Sequence, residues 1–194
     1  MSGMPPIKVF VFGLDRAGKT VIVNYLVKKV PETNLNPTLN MNYHSLDIEE
    51  QDFRIWDAPG QEKLRFTWDS GLHNANILVF VVDSSDRNRF AEAKAVFESF
   101  LGEVRNVQRP LVIVFSKIDL LEGCGNIEEL KHLFQISGET KLQQFFLETT
   151  IRRPETIDLL RYLLNLFTKP DFLSRISNLD ISKLQGGDSQ QCRG

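Results

Sequence analysis

Apolar residues along this chain follow two different periods. Short, nearly continuous apolar runs recur between stretches in which apolar positions return every three or four residues. The runs Lys8–Phe12, Met41–Ile48, Asp52–Trp56, Ile77–Val82, Leu111–Phe115 and Gln143–Leu147 predict strands, and Lys19–Lys29, Arg89–Val104, Ile127–Phe134 and Glu155–Phe167 predict helices. Ile77–Val82 and Leu111–Phe115 contain no polar residue, as central parallel strands covered on both faces require. Met41–Ile48 and Asp52–Trp56 are joined by the polar Glu49-Glu50-Gln51, a hairpin that places one antiparallel edge strand on the sheet. The predicted fold class is α/β: a six-stranded, mostly parallel sheet with one antiparallel edge strand and helices on both faces.

Phe90, Ala93, Phe97, Leu101 and Val104 form one helical stripe, and Leu160, Leu163, Leu164 and Phe167 form another. Both are core faces without a ligand role. Asn126 with Glu129 has the pattern of a helix N-cap, Pro154 suits a first helical turn, and Pro170 ends the last long helix. Residues 1–168 are expected to form a single domain. Residues 169–194 are expected to add a helical turn at Asp171–Ile176 and a disordered tail, because Gln185–Gln191 has too little apolar content to pack. No internal repeat is present.

Composition narrows the function classes. With 42% hydrophobic and 25% charged residues, 194 residues suffice for one core. A net charge of −2 without a long Lys/Arg run excludes a primary nucleic-acid binder and an electrostatic membrane anchor. Cys124 and Cys192 have no C-x-x-C spacing, and no signal peptide precedes them, so a reducing, cytoplasmic setting is expected. No apolar run approaches the roughly 20 residues of a membrane span. Position 2 is Ser2 rather than the Gly needed for myristoylation, and Cys192 is third from the end, whereas prenylation needs it fourth. Recruitment to a membrane would then depend on partners. His44, His73 and His132 are isolated in sequence and are expected to be structural or surface residues.

The most specific local signal is Gly13-Leu14-Asp15-Arg16-Ala17-Gly18-Lys19-Thr20, which fits G-x-x-x-x-G-K-[ST] directly after the first strand. Backbone N–H groups of Asp15, Arg16, Ala17, Gly18, Lys19, Thr20 and Val21 would turn onto phosphate oxygens, aided by the dipole of the helix that starts there. Lys19 supplies a cation for the β and γ phosphates, and the Thr20 hydroxyl is placed to ligate Mg²⁺. This P-loop NTPase motif alone does not choose between ATPase, kinase and GTPase.

Four downstream segments supply further parts. Asn36-Pro37-Thr38 offers a hydroxyl on a loop, Asp57-Ala58-Pro59-Gly60-Gln61 ends the third strand, Ser116-Lys117-Ile118-Asp119 follows the fifth, and Glu148-Thr149-Thr150 follows the sixth. All lie at strand C-terminal ends or on adjacent loops, where open α/β sheets bind ligands. Here the sequence resembles the Ras superfamily of small GTPases, and most closely its Arf, Arf-like and Sar branch. The wording that carries the resemblance is Gly-Leu-Asp-x-Ala-Gly-Lys-Thr at 13–20, Trp-Asp-x-x-Gly-Gln-x-Lys-x-Arg at 56–65 with Trp68, and Val-Val-Asp-Ser-x-Asp-Arg at 81–87. The 19 positions from Thr38 to Asp57 resemble the short Arf interswitch.

The resemblance implies a GTP/GDP switch with slow Mg²⁺-dependent hydrolysis, in which Thr38 ligates Mg²⁺ and senses the γ-phosphate and Asp57 acts on the ion through water. Gly60 would give its N–H to the γ-phosphate, and Gln61 would orient the attacking water. Lys117 would lie along the base, Asp119 would accept from guanine N1–H and its exocyclic amine, and Thr150 with the Ile151 N–H would close the pocket. Adenine lacks that donor pair, which would leave a buried carboxylate unpaired. The partners implied are an exchange factor, a GTPase-activating protein and effectors, through segments 36–43 and 57–72. Vesicle trafficking is implied in the same way.

Several positions depart from the family. Ser116 replaces the usual Asn or Thr and predicts weaker nucleotide retention, roughly 10- to 100-fold. Pro59 fixes φ where peptide flexing is needed. Arg16 offers a charge near the β/γ bridge or a merely solvated side chain. The switch aromatic triad keeps Trp56, with Met41 and Gly71 at or near the other positions, and no N-terminal amphipathic segment precedes Met4-Pro5-Pro6. Lys63 and Arg65 suit either an acidic partner or a solvated helical face. A GTP-loaded binding module with little turnover stays open, and an ATP-using P-loop enzyme leaves Asp119 and Gln61 without a reason.

Overall fold

The computed structural model describes residues 5–120 and 127–172. Asn126, most of Asp171–Ile176, both cysteines and the tail lie outside them. Six strands form one sheet: β1 (Ile7–Phe12), β2 (Asn42–Ile48), β3 (Gln51–Asp57), β4 (Ile77–Asp83), β5 (Arg109–Ser116) and β6 (Leu142–Glu148). Their order is β2-β3-β1-β4-β5-β6; β2 runs antiparallel to β3 at the edge, and every other pair is parallel. The helices are α1 (Lys19–Lys28), α2 (Trp68–Asn74), α3 (Phe90–Val104), α4 (Ile127–Phe134) and α5 (Glu155–Leu166).

Strand alternation sorts the core into two layers of different character. Val9, Val11, Ile55, Val79, Val112 and Val114 face one way and pack with buried residues of α1 and α5. Phe10, Phe12, Phe80 and Phe115 face the other and pack with α2, α3 and α4. Phe12 meets Trp68, Phe80 and Phe100 edge-on at centroid distances of 5.4, 5.1 and 4.8 Å, within the favoured aromatic range. The apolar runs of β4 and β5 thus serve both layers, as expected of central strands.

The largest departure from the predicted elements is α2, which the apolar pattern does not announce. Ser70 and Gly71 interrupt it, and few of its residues are buried. Gly71 is required there, since a Cβ would enter the Phe10 ring. A 3-10 turn at Glu62–Thr67 precedes α2. Helix α3 starts at Phe90 after a 3-10 turn over Arg87–Arg89, so Arg89 is not its first residue. Met41 lies outside β2, β5 begins earlier at Arg109, and α5 ends at Leu166 with Pro154 just before it. Helix α1 closes at Lys29, which adopts a left-handed φ of 58° and bonds Tyr25 O at 2.9 Å.

Candidate functional site

The C-terminal ends of β1, β3, β5 and β6 open onto one sheet edge, where a cavity of about 660 Å³ is lined by residues from segments 15–22, 33–38, 60–61, 116–120 and 149–152. The predicted site residues converge on it from loops far apart in sequence. Ala17 and Asp57 are the exceptions: both are buried beside the cavity, where Ala17 contributes a carbonyl and Asp57 a carboxylate that meets the Thr20 hydroxyl.

At one end the loop after β1 wraps the side chain of Lys19. Gly13 has φ 139° under the Val81 carbonyl, and Gly18 has φ 85°, the left-handed region that glycine enters without strain. The Lys19 ammonium donates to Gly13 O at 3.1 Å and Leu14 O at 2.7 Å. Burial pushes its pKa down to about 8, while the charges of Asp57 and Asp15 pull it up.

Next to it, Thr20 Oγ1 donates to Asp57 Oδ2 at 2.7 Å and lies 2.9 Å from Thr38 Oγ1. Asp57 is fully buried, and its Oδ1 has no hydrogen-bond partner among the described residues. Burial raises its pKa, opposed by the Thr20 hydroxyl and the Lys19 charge. Two hydroxyls and an orphaned carboxylate oxygen at one point are the donor set a small, hard divalent cation takes. The residues present therefore fit Mg²⁺.

Gly60 lies against this cradle so closely that a Cβ would collide with Asp15 N, Leu14 C and Lys19 Nζ. Its approach is fixed from both sides. The buried Trp68 indole donates to Pro59 O at 2.8 Å, and Arg65 Nε donates to Gly60 O at 3.1 Å. Gln61 lines the cavity one residue later. Arg65 also reaches Glu92 at 2.6 Å, Glu92 holds Arg89 at 2.8 Å, and Arg89 donates to Asp15 Oδ1 at 2.9 Å and Asp15 O at 3.1 Å. Hydrogen bonds from Arg89 and then Arg65 hold the Glu92 carboxyl down to about 2. The acid that meets Arg65 is thus inside the chain, whereas sequence pointed to an external partner or to solvent.

The other end is made of side chains. Ser116 Oγ contacts Ala17 O at 2.7 Å and Val82 O at 3.1 Å, so the short hydroxyl still ties β5 to the phosphate loop. Lys117, at φ 57°, donates to Arg16 O at 2.8 Å and Asp83 Oδ2 at 2.6 Å. Thr150 Oγ1 donates to Asp119 Oδ1, and Arg152 Nε lies 3.0 Å from Asp119 Oδ2. Thr156 Oγ1 accepts the Thr150 N–H at 3.0 Å, and Ile151 lines the wall. Arg16 has φ 63°, and its side chain is exposed with no hydrogen bond or ion pair among the described residues; its carbonyl carries its contact.

On the outer face, Tyr43 stacks edge-on against Trp56 at 5.7 Å, and Leu39, Tyr43 and Phe66 are well exposed. The aromatic residue that meets Trp56 is Tyr43 rather than Met41. His73 is an exposed residue paired with Asp69 at 3.2 Å. Sequence reading missed Arg89, Glu92 and Arg152. Only the three-residue spacing of Arg89 and Glu92 pointed toward the first two.

Comparison with known proteins agrees with this arrangement. The model of the ADP-ribosylation factor family matches residues 3–164. Over 130 residues the chain is 37% identical to the small COPII coat GTPase SAR1B of Dictyostelium discoideum, a match that spans 66% of each chain. Among solved structures, the Arl6 BBS3 small GTPase of Trypanosoma brucei with a bound nucleotide analogue matches with a TM-score of 0.62 and 22% identity, over 84% of this chain and 99% of that one. The mammalian SRP receptor structure matches with a TM-score of 0.66 and 20% identity, over 80% and 97%. The last two likenesses bear on the fold. The family match over most of the chain, together with the cradle, the Thr20–Thr38–Asp57 cluster and the Asp119 pocket at one sheet edge, establishes that the chain belongs to the ADP-ribosylation factor family of small GTPases.

Proposed function

We propose that this GTPase is a GTP/GDP-dependent switch whose segments 36–43 and 57–72 respond to the γ-phosphate. The observation that carries the reading is the meeting of Thr38, Asp57 and Gly60 with Lys19 and Thr20 at one end of a cavity whose other end holds Asp119. Thr20 and Thr38 would hold Mg²⁺, with Asp57 acting through water; bound there, the ion supplies charge neutralisation between the β and γ phosphates. Lys19 turns from its own loop carbonyls to the phosphates. The Gly60 N–H faces the γ-phosphate, and Gln61 orients the attacking water, a positioning role that needs no strong base. Asp119 reads guanine, Lys117 lies along it, and Thr150 and Ile151 close the pocket.

Hydrolysis is slow without a partner, because Arg16 points to solvent and the cation near Gly60, Arg65, is engaged with Glu92. Exchange factor, activating protein and effector would meet the two switch segments, with Leu39, Tyr43 and Phe66 as apolar contacts. Likeness to a COPII coat GTPase supports a place in membrane trafficking. No helix among the described residues is long and apolar enough to cross a membrane. A second reading, a GTP-loaded binding module with little turnover, is favoured by one feature: Pro59 and Gly60 are both pinned through their carbonyls. Reloading with GTP and Mg²⁺ separates the two. Single-turnover GDP production that falls at least tenfold in Gln61→Leu supports the switch; equal rates support the module.

A further inference from the structure

Base reading at this site falls on one side chain. Ser116 Oγ is turned to two backbone carbonyls, and the Lys117 ammonium is held by Asp83 and Arg16 O, so neither polar end faces a base. Asp119 remains, and both of its oxygens already have partners in the chain. The Thr150 hydroxyl donates to Oδ1, and the Arg152 guanidinium lies 3.0 Å from Oδ2. Thr150 belongs to the buried wall, whereas the Arg152 side chain is 71% exposed and makes no other hydrogen bond or ion pair among the described residues, at the mouth of the same cavity.

A carboxylate selects guanine mainly through the penalty it suffers when a base cannot donate to it. A buried charge left without a partner is expensive, and sites that depend on such a group reject analogues lacking the donor. A cation from the chain itself removes part of that penalty. When the 2-amino group is missing from the base, Oδ2 still has Arg152. The same contact stabilises the protein against which nucleotide binding is measured, and so weakens retention.

We propose that Arg152 sets the base selectivity of this GTPase, acting as a substitute partner for Asp119 that lowers both discrimination between purines and the lifetime of bound guanine nucleotide. The inference rests on the reading of Asp119 as the guanine acceptor. Because the Arg152 side of the pair is largely exposed, solvent screens the contact and the effect is modest, about three- to tenfold. The chemistry it admits more readily is a purine nucleotide that lacks the 2-amino group, such as an inosine phosphate.

The test is competition of GDP and IDP against a fluorescent GDP analogue, in Mg²⁺, on the wild-type chain, Arg152→Ala and Arg152→Lys, with the GDP dissociation rate taken in parallel. Arg152→Ala is expected to raise the GDP-over-IDP preference three- to tenfold and to slow GDP release by a similar factor. Arg152→Lys keeps a cation in place and stays near the wild type. A merely structural role would leave the preference ratio unmoved, so an unchanged or reduced ratio in a folded Arg152→Ala chain overturns the proposal. Failure of the wild type to bind GDP in the same titration would overturn the reading of Asp119, and this inference with it.

Discussion

At the end of the cavity proposed to take the phosphates, a backbone-shaped loop holds a few mostly buried side chains in place. Gly13 and Gly18 shape the loop, Lys19 is enclosed by it, Thr20 and Asp57 are in contact, and Gly60 sits where no side chain fits. At the end proposed to take the base the parts are side chains on the two loops after β5 and β6, and one of them, Arg152, is mostly exposed. A site made of backbone constrains sequence tightly, because few residues tolerate φ 85° or the approach of Gly60. A site made of side chains can be rebuilt with different ones. The departures sort accordingly. Ser116 alters one end, while the other departs at Arg16, whose side chain faces solvent, and at Pro59, whose carbonyl is held by Trp68.

Removing the central cation of the phosphate end should have the largest effect. Lys19→Ala leaves phosphate charge unanswered in a buried cradle and is expected to weaken GTP and GDP binding at least a hundredfold, about 3 kcal/mol or more. Equilibrium titration checks it, and a loss under tenfold would mean that the loop amides suffice alone. Ser116→Asn probes the base end. Since Ser116 already ties the phosphate loop, the gain is confined to new contacts with the base, and GDP release is expected to slow about tenfold, the worth of one to two neutral hydrogen bonds. An unchanged release rate would mean the departure is neutral.

The smallest effect concerns the outer tie of the phosphate end. The Glu92 carboxyl is depressed from 4.5 to about 2, so its contribution is fully present above the unfolded value and fades as pH falls toward 2. With its side chain 40% exposed, solvent screening reduces that contribution to about 1 kcal/mol. Denaturant unfolding from pH 6 to pH 3 should therefore show a steeper loss for wild type than for Glu92→Gln; parallel curves would mean the ion chain from Asp15 to Arg65 adds nothing to stability.

Much of the sheet and most of the cradle were legible in sequence for a local reason. Period-two alternation, continuous apolar runs and the spacing of Gly13, Gly18, Lys19 and Thr20 are short-range patterns. Helix α2 was not legible, because it is half in solvent and carries a glycine dictated by the distant Phe10 ring. Arg89 meets Asp15 across 74 positions, and Arg152 meets Asp119 from a separate loop. Neither contact leaves a mark in spacing, so the apolar period starts a helix at Arg89 and nothing local singles out Arg152. In sequence Ser116 is a lost amide, but its bond to Ala17 O depends on how close β5 comes to the loop after β1, which only the fold determines.

The central claim is that both ends work together as a guanine-nucleotide site. Denaturing the freshly purified chain and identifying the released nucleotide by chromatography tests it most directly. The account predicts GDP or GTP, with Asp119→Ala recovered without it. An adenine nucleotide released from the wild type, or guanine nucleotide retained equally by Asp119→Ala, would contradict it.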